Sequence, residues 1–196
     1  MTTLKLEIDG KSVTAQEEEM VLQVARRAGI DIPTLCNHEK LIPYGACRLC
    51  TVEVTRKGKT KLVASCVYPV EDGLKVITHS ERLTRIRKMI LELLLPLAPT
   101  GPLKSLAREY GLETSRFPGE EIGCISCGLC VRYCAEVKKV NAITFVGRGI
   151  HREVTFLPEI ASKVCDSCRE CFAICPGGKL PGETDGVWFK PPAFER

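Results

Sequence analysis

The residues with the most evident chemistry are four cysteines within residues 124–134, C-I-S-C-G-L-C-V-R-Y-C, at spacings of x2, x2 and x3. The same spacing recurs in residues 165–175, where Pro176 follows the last cysteine. Thiols at this density are typical of a disulfide knot, a zinc site or an iron–sulfur cluster. The redox compartment of the chain and the number of ligands per site decide among the three.

The start of the chain and its longest apolar run indicate a reducing compartment. The opening residues, MTTLKLEIDGKSV, lack the apolar stretch of a secretory signal. The run over 89–97 is interrupted by Glu92 and Pro96, and a bilayer span needs roughly 20 residues. We therefore expect a cytoplasmic protein, or one on the cytoplasmic face of a larger assembly, without direct membrane insertion. Thiols stay reduced there, so the 12 cysteines are predicted to be metal ligands rather than disulfides.

The spacing of the two runs favours iron–sulfur clusters over zinc. Structural zinc uses two C-x2-C pairs, and both runs exceed that need. The spacing is that of bacterial two-cluster ferredoxins, in which three cysteines in a tight loop bind one cluster and the fourth, which begins a helix, binds the other. Two [4Fe–4S] sites are thus predicted. Site A comprises Cys124, Cys127, Cys130 and Cys175, and site B comprises Cys134, Cys165, Cys168 and Cys171.

A separate group of cysteines has the spacing C-x10-C-x2-C-x15-C. Plant-type ferredoxins bind a [2Fe–2S] cluster with C-x4-C-x2-C and a distant fourth cysteine. The longer first interval here keeps the same plan, and Gly45-Ala46 fits a close approach to the cluster. His38 and His79 are predicted to be packing or surface residues, because four thiols already complete the site. A [2Fe–2S] site, site N, is therefore predicted at Cys36, Cys47, Cys50 and Cys66.

Hydrophobic patterning predicts a β-grasp [2Fe–2S] ferredoxin domain over residues 1–78. Apolar residues alternate over 4–8 ahead of Asp9-Gly10, which predicts a hairpin. A helix is predicted over 20–28, closed by Gly29. Further strands are predicted over 51–54, 61–64 and 74–77.

The remainder of the chain is predicted to hold a helical connector over 79–116 and a 2[4Fe–4S] bacterial-ferredoxin-like domain over 117–180. Ser80 is a candidate N-cap of a helix through Leu95, and a short helix is expected over 104–110. The first helix carries an apolar stripe of Leu83, Ile86, Ile90, Leu93, Leu94 and Leu97, and Pro96, Pro99 and Pro102 are expected to end it. A β-hairpin is predicted between the two cysteine runs, over 142–149 and 153–156. The predicted fold class is α+β, with a tail over 181–196 that docks against a partner.

Charge and motifs exclude several other functions. The net charge of +4 and pI of about 8.4 are modest, and the longest basic cluster, residues 85–88, is too short to predict a nucleic-acid-binding face. The chain has no flavin signature, no H-E-x-x-H and no phosphate-binding loop, and Gly147-Arg148-Gly149 lacks the third glycine of a dinucleotide fingerprint. We therefore predict no catalytic site and expect the chemistry to be one-electron transfer.

Several motifs together resemble one family. They are the x10-x2-x15 spacing, the helix S-E-R-L-x-x-x-R-x-x-I-L-E-L-L-L, S-R-F before the first cysteine run, F-V-G-R-G between the runs, and the order of the runs. The combination resembles the N-terminal part of the large iron–sulfur subunit of respiratory complex I. It is also similar to the small iron–sulfur diaphorase subunit of NAD-linked hydrogenases and to the N-terminal region of iron-only hydrogenases. The resemblance covers roughly residues 1–180.

One departure changes the cofactor count that the resemblance implies. Family members hold a further [4Fe–4S] cluster in the connector with H-x3-C-x2-C-x5-C. This chain has LLLPLAPTGPLKSLAREYGLE there, with neither His nor Cys. The resemblance then implies one [2Fe–2S] and two [4Fe–4S] clusters.

The resemblance implies a non-catalytic electron-transfer subunit of a hetero-oligomeric oxidoreductase. It would relay electrons between a flavin-containing NAD(P)H-oxidising subunit and a terminal enzyme, such as a hydrogenase, a formate dehydrogenase or another low-potential reductase. The alternatives are a free ferredoxin-like carrier, a structural zinc-binding interaction protein and a redox sensor. Free carriers are usually small and strongly acidic, which this chain is not.

Overall fold

The computed structural model describes residues 3–99 and 101–178, and the tail predicted over 181–196 lies outside them. The described residues form two units, the first from residues 3–37 and 43–91 and the second from residues 38–42 and those from 92 onwards. In these described parts of the chain, no helix combines the length and the apolar character that a membrane span requires.

The first unit is built on a five-stranded sheet of β1 (Thr3–Ile8), β2 (Lys11–Gln16), β3 (Thr51–Arg56), β4 (Lys59–Ala64) and β5 (Lys75–Ile77). The strand order is β2-β1-β5-β3-β4, with β1 and β5 parallel and the other neighbours antiparallel. Ile8 pairs with Lys11, so Asp9 and Gly10 form a two-residue turn in which both φ angles are positive, 49° and 80°. The predicted hairpin is confirmed.

Helix α1 (Val21–Arg27) packs against this sheet and completes the β-grasp arrangement. Alternate strand residues point into the shared core, because successive side chains of a strand face opposite sides of the sheet. The core joins Val21, Leu22, Val24 and Ala25 of the helix to Leu6, Ile8, Val52, Val54 and Val76 of the strands. The predicted α+β class and the β-grasp plan of this unit are confirmed.

Helix α2 (Glu81–Leu94) begins at the predicted cap, where the Leu83 backbone N–H donates to the Ser80 hydroxyl at 3.2 Å. Its buried row comprises Leu83, Arg87 and Leu91, each four residues apart and at most 1% exposed. The predicted apolar stripe was wrong at Leu93, which is 50% exposed, and it omitted Arg87. Hydrophobic periodicity treats arginine as a surface residue, and this one is buried on the side of the helix that faces its own unit.

The second unit contains four helices and a hairpin: α3 (Gly101–Glu109), α4 (Leu129–Arg132), β6 (Ile143–Val146), β7 (Glu153–Phe156), α5 (Pro158–Cys168) and α6 (Glu170–Ala173). Strands β6 and β7 pair antiparallel, which confirms the predicted hairpin. A π-helical turn over Tyr133–Val137 continues α4.

Two features of this unit differ from the sequence expectations. Helix α3 starts at Gly101 rather than 104, because Pro102 lies in the first turn, where its missing N–H is not needed. Cys165 and Cys168 lie on the last turns of α5 rather than in a loop. Residues three apart share a helix face, so the helix still directs both thiols the same way.

Gly147, at the tip of the β6–β7 hairpin, is predicted to be far less tolerant of substitution than Gly149. Both have positive φ, +67° and +59°, but a Cβ at Gly147 would collide with the His151 carbonyl oxygen, whereas Gly149 has nothing within 4 Å. We expect Gly149→Ala to lower the free energy of unfolding by about 1 kcal/mol, from the left-handed backbone alone. Gly147→Ala should lower it by about 2–4 kcal/mol. Chemical denaturation of the two variants measures the difference, and equal values would show that the hairpin tip is not closed as described.

Candidate metal centres

Site N lies at one end of the first unit's sheet. Cys36 and Cys47 lie in the irregular segment between α1 and β3, Cys50 directly precedes β3, and Cys66 follows β4. Cys36, Cys50 and Cys66 are at most 2% exposed, and Cys47 is half-buried. Because β3 and β4 pair along their length, Cys50 and Cys66 are brought together from positions far apart in the sequence.

The four thiols of site N are arranged as two pairs. The Cys36 thiol hydrogen-bonds to the sulfur of Cys47, which lowers the pKa of Cys47 to about 6 and raises that of Cys36. The Cys66 thiol does the same to Cys50, whose pKa is also lowered to about 6 while that of Cys66 is raised. In each pair one sulfur therefore favours the thiolate form, which is the form that binds metal. Two pairs of thiols suit two metal ions with two protein ligands each.

Backbone groups fix the turn that carries Cys47 and Cys50. The Cys47 N–H donates to the Cys36 sulfur at 3.3 Å. Arg48 has a left-handed φ of 61°, and its carbonyl oxygen accepts from the Thr51 hydroxyl at 2.6 Å. Gly45 also has a left-handed φ, +71°, and a Cβ there would lie 3.3 Å from Val67. The predicted need for a small residue before Cys47 therefore has a backbone cause as well as a packing cause.

The shifted thiols of site N predict unequal reactivity in the cluster-free protein. Cys47 and Cys165 are both half-buried, but the pKa of Cys47 is lowered to about 6 and that of Cys165 is raised to about 11. A lowered pKa leaves the thiolate present at neutral pH, so Cys47 should react with iodoacetamide with a midpoint near pH 6, whereas Cys165 should react only in strongly alkaline solution. Mass spectrometry of samples alkylated over a range of pH measures both, and equal rates at pH 7 would contradict the thiol pairing.

Site B is a cavity of about 190 Å³ in the second unit. Its apolar lining includes Ile143, Phe156 and Phe172. The Ala142 N–H donates to the Cys134 sulfur at 3.2 Å. The thiols that line the cavity are Cys134, Cys165, Cys168 and Cys171, one from the first run and three from the second.

Site A is a smaller cavity of about 20 Å³ in the same unit. The Ser126 N–H donates to the Cys124 sulfur at 3.4 Å, and Ser126 has a left-handed φ of 51°. The same backbone region is used by Arg169, φ 46°, between Cys168 and Cys171 of site B. The thiols that line site A are Cys124, Cys127, Cys130 and Cys175, three from the first run and one from the second.

Burial controls the thiols of the second unit. Desolvation, followed by the charges of neighbouring cysteines, raises the pKa of Cys130, of Cys165 to about 11 and of Cys171 to about 12. These thiols hold their protons at neutral pH without a metal, so metal binding must displace protons. Burial also raises the energy of each thiolate, which a bound cation would offset.

The two histidines lie away from the thiol sets. The His38 ring packs edge-on against Tyr133 at 5.5 Å between centroids, and the His79 side chain is 65% exposed and contacts the Thr78 hydroxyl at 2.6 Å. Among the described residues, no three His, Cys, Asp or Glu side chains converge closely enough to hold one metal ion. The thiols line spaces instead, and the 190 Å³ of site B is far larger than the roughly 10–15 Å³ that a water-sized probe needs.

Two groups near the sites were not found by sequence reasoning. Ser65 is fully buried, and its hydroxyl donates to the Cys50 carbonyl oxygen at 2.8 Å. Tyr133 donates to Glu170 at 2.9 Å, and Glu170 also pairs with Lys138, beside site B. Neither set belongs to a motif, because the contacts join residues distant in the sequence. The thiol sets themselves fit iron–sulfur clusters, since soft thiolates with nearby backbone N–H donors are what such clusters require.

Comparison with known families divides the chain in the same way as its cysteines. Residues 1–81 match the family described as "2Fe-2S iron-sulfur cluster binding domain". Residues 123–179 match the family described as "4Fe-4S dicluster domain". Each match contains a complete set of the cysteines discussed above.

Similar proteins include the NADPH-Fe(3+) oxidoreductase subunit alpha of Geobacter sulfurreducens, 36% identical over 90% of this chain and 24% of that protein. The NADH-ubiquinone oxidoreductase 75 kDa subunit of Reclinomonas americana is 34% identical over 82% of this chain and 28% of that protein. The chain thus spans about a quarter of the length of these curated relatives. A chain of the crystal structure of NAD+-reducing [NiFe]-hydrogenase in the H2-reduced state is 32% identical, with a TM-score of 0.68 over 78% of this chain and 74% of that chain.

Proposed function

Because the chain belongs to the iron–sulfur family that includes the complex I 75 kDa subunit and the iron–sulfur diaphorase subunit of NAD-linked hydrogenases, we propose that it is the electron-transfer subunit of a multi-subunit oxidoreductase. It relays electrons between a flavin-containing NAD(P)H-oxidising subunit and a terminal low-potential enzyme. It performs no bond-making chemistry of its own.

The observation that carries this proposal is the composition of the two cavities of the second unit. Each is lined by three cysteines of one run and the last cysteine of the other. A structural zinc site has no use for this exchange of ligands, whereas a two-cluster ferredoxin domain depends on it. Two clusters held by interleaved ligands lie close together, which suits a relay.

The proposed cofactors follow from the thiol sets. Site N would hold a [2Fe–2S] cluster with Cys36, Cys47, Cys50 and Cys66. Sites A and B would each hold a [4Fe–4S] cluster, with Cys124, Cys127, Cys130 and Cys175 at site A and Cys134, Cys165, Cys168 and Cys171 at site B. When bound, such clusters accept and release single electrons. The chain's own residues bind them, donate backbone N–H groups to the sulfurs and exclude water from them.

We also propose the functional division of the chain and its location. Residues 1–78 carry site N, residues 79–116 connect, and residues 117–180 carry sites A and B. The connector has no ligand for a further cluster, because residues 93–113 contain neither His nor Cys. A cytoplasmic location is supported by 12 free thiols, which an oxidising compartment would not preserve.

Gel filtration of native extract under anaerobic conditions tests the proposal against the alternative of a free carrier. We expect the chain to elute in a complex well above its own mass of 21.6 kDa, together with flavin and NAD(P)H-dependent reductase activity. The net charge of +4 supports this outcome, because free ferredoxin carriers are usually acidic. Elution alone, without flavin, would support the carrier and overturn the subunit assignment.

A further inference from the structure

Arg87 is a buried cation in the first unit. It is 1% exposed, and its guanidinium donates three hydrogen bonds to backbone carbonyl oxygens. Nε donates to Leu49 at 3.1 Å, and Nη2 donates to Thr51 at 2.8 Å and to Thr78 at 2.9 Å. Among the described residues, no carboxylate forms an ion pair with it.

Burying an uncompensated guanidinium is unfavourable. Hydrogen bonds to neutral carbonyls recover part of the lost hydration, but a buried charge is normally paired with an opposite one. A methionine or leucine at this position of α2 would fill the same apolar row with no such penalty. The arginine therefore indicates an anionic group nearby that it serves.

The carbonyl groups that Arg87 contacts surround site N. Leu49 lies between Cys47 and Cys50, so the guanidinium holds the C-x2-C turn from behind. Thr51 directly follows Cys50. A hydrogen bond to the Leu49 carbonyl also polarises the peptide whose N–H belongs to Cys50. One side chain of α2 thus fixes the turn that presents two of the four thiols.

The charge of the group at site N has the sign that Arg87 requires. Two ferric ions, two sulfides and four thiolates carry a net charge of about −2, and one added electron makes it about −3. A fixed positive charge stabilises the more negative state more strongly. It therefore favours reduction, and its effect is enhanced because burial limits solvent screening.

We propose that Arg87 is a positioning residue of site N, which clamps the Cys47–Cys50 turn and raises the midpoint potential of the cluster held there. This inference rests on the proposed function, because it requires a [2Fe–2S] cluster at site N. It assigns to α2 a role in the redox chemistry of the first unit that no cysteine motif contains.

The test uses the full-length protein, purified anaerobically, with redox titration followed by EPR of the [2Fe–2S] signal. We expect Arg87→Met to shift its midpoint potential downward relative to the wild type. Arg87→Lys keeps the charge but not the planar fork, so it should titrate close to the wild type and lose iron to a chelator several-fold faster. Arg85→Met, an exposed position on the same helix, should match the wild type in both measurements.

The possible outcomes separate this inference from the function on which it rests. A wild-type protein without a [2Fe–2S] signal overturns the proposed function. With that signal present, Arg87→Met titrating at the wild-type potential overturns the inference, even if its melting temperature falls, since a purely structural role would do just that. Arg87→Lys losing iron no faster than the wild type overturns it equally, and this measurement decides alone if Arg87→Met fails to accumulate.

Discussion

Replacing Cys175 by alanine is expected to remove the cluster at site A and to leave the one at site B intact, although Cys175 belongs to the same run as three thiols of site B. The reason is the cavity lining, in which Cys175 faces Cys124, Cys127 and Cys130. Removing one of four ligands from a [4Fe–4S] site should eliminate about four of about ten irons per chain. The matched variant, Cys134→Ala, should remove site B instead.

Differential alkylation distinguishes the two variants, which lose similar amounts of iron. In Cys175→Ala, the three cysteines of residues 124–130 should become accessible to iodoacetamide, while the thiols of site B remain protected. In Cys134→Ala, the pattern should reverse, exposing the three cysteines of residues 165–171. If each run instead holds its own cluster, Cys175→Ala would expose 165–171, and the assignment of sites A and B would be wrong.

Gly177→Ala is expected to disrupt site A without touching a cysteine. A Cβ at Gly177 would lie 2.6 Å from the Gly123 carbonyl oxygen and 3.1 Å from the Ala98 side chain. Neither strand of backbone can yield easily, because the Gly123 N–H is bonded to Leu97 at 2.8 Å and the Pro176 carbonyl accepts from Leu103 at 3.3 Å. Gly123 precedes Cys124, and Gly177 is two residues beyond Cys175, so one added methyl group displaces two thiols of the site.

We expect Gly177→Ala to lower the free energy of unfolding by about 1–3 kcal/mol and to increase alkylation at Cys124 and Cys175. Gly149→Ala is the control, since it adds the same methyl group in the same unit where nothing lies within 4 Å. Site B provides an internal reference, because its thiols should remain protected. Wild-type protection at site A in Gly177→Ala would mean that the backbone there is not packed as described.

Short-range patterns predicted much of the fold. The Asp9-Gly10 turn and the Ser80 cap are local signals whose chemistry sits within a few residues, and both are present. The antiparallel pairing of β6 with β7 likewise follows from two alternating segments joined by a short turn. Cysteine spacing grouped the thiols because each group is encoded by short intervals within a run.

Features that depend on tertiary contacts could not be predicted in this way. Burial of Arg87 depends on carbonyl groups of residues 49, 51 and 78, and nothing in α2 announces them. Helix α5 includes Cys165 and Cys168 because Pro158 starts it early and the chain remains helical to the cysteines. The intolerance expected at Gly147 and Gly177 arises from backbone on another segment, which a sequence pattern does not contain.

The most direct test of the proposed relay is to measure iron, acid-labile sulfide and zinc per chain in anaerobically purified protein, with EPR of the reduced sample. Three clusters predict about ten irons and about ten sulfides per chain, with one [2Fe–2S] signal and two interacting [4Fe–4S] signals. About fourteen irons would reveal a fourth cluster that the connector has no ligands to hold. Zinc without sulfide would contradict electron transfer altogether.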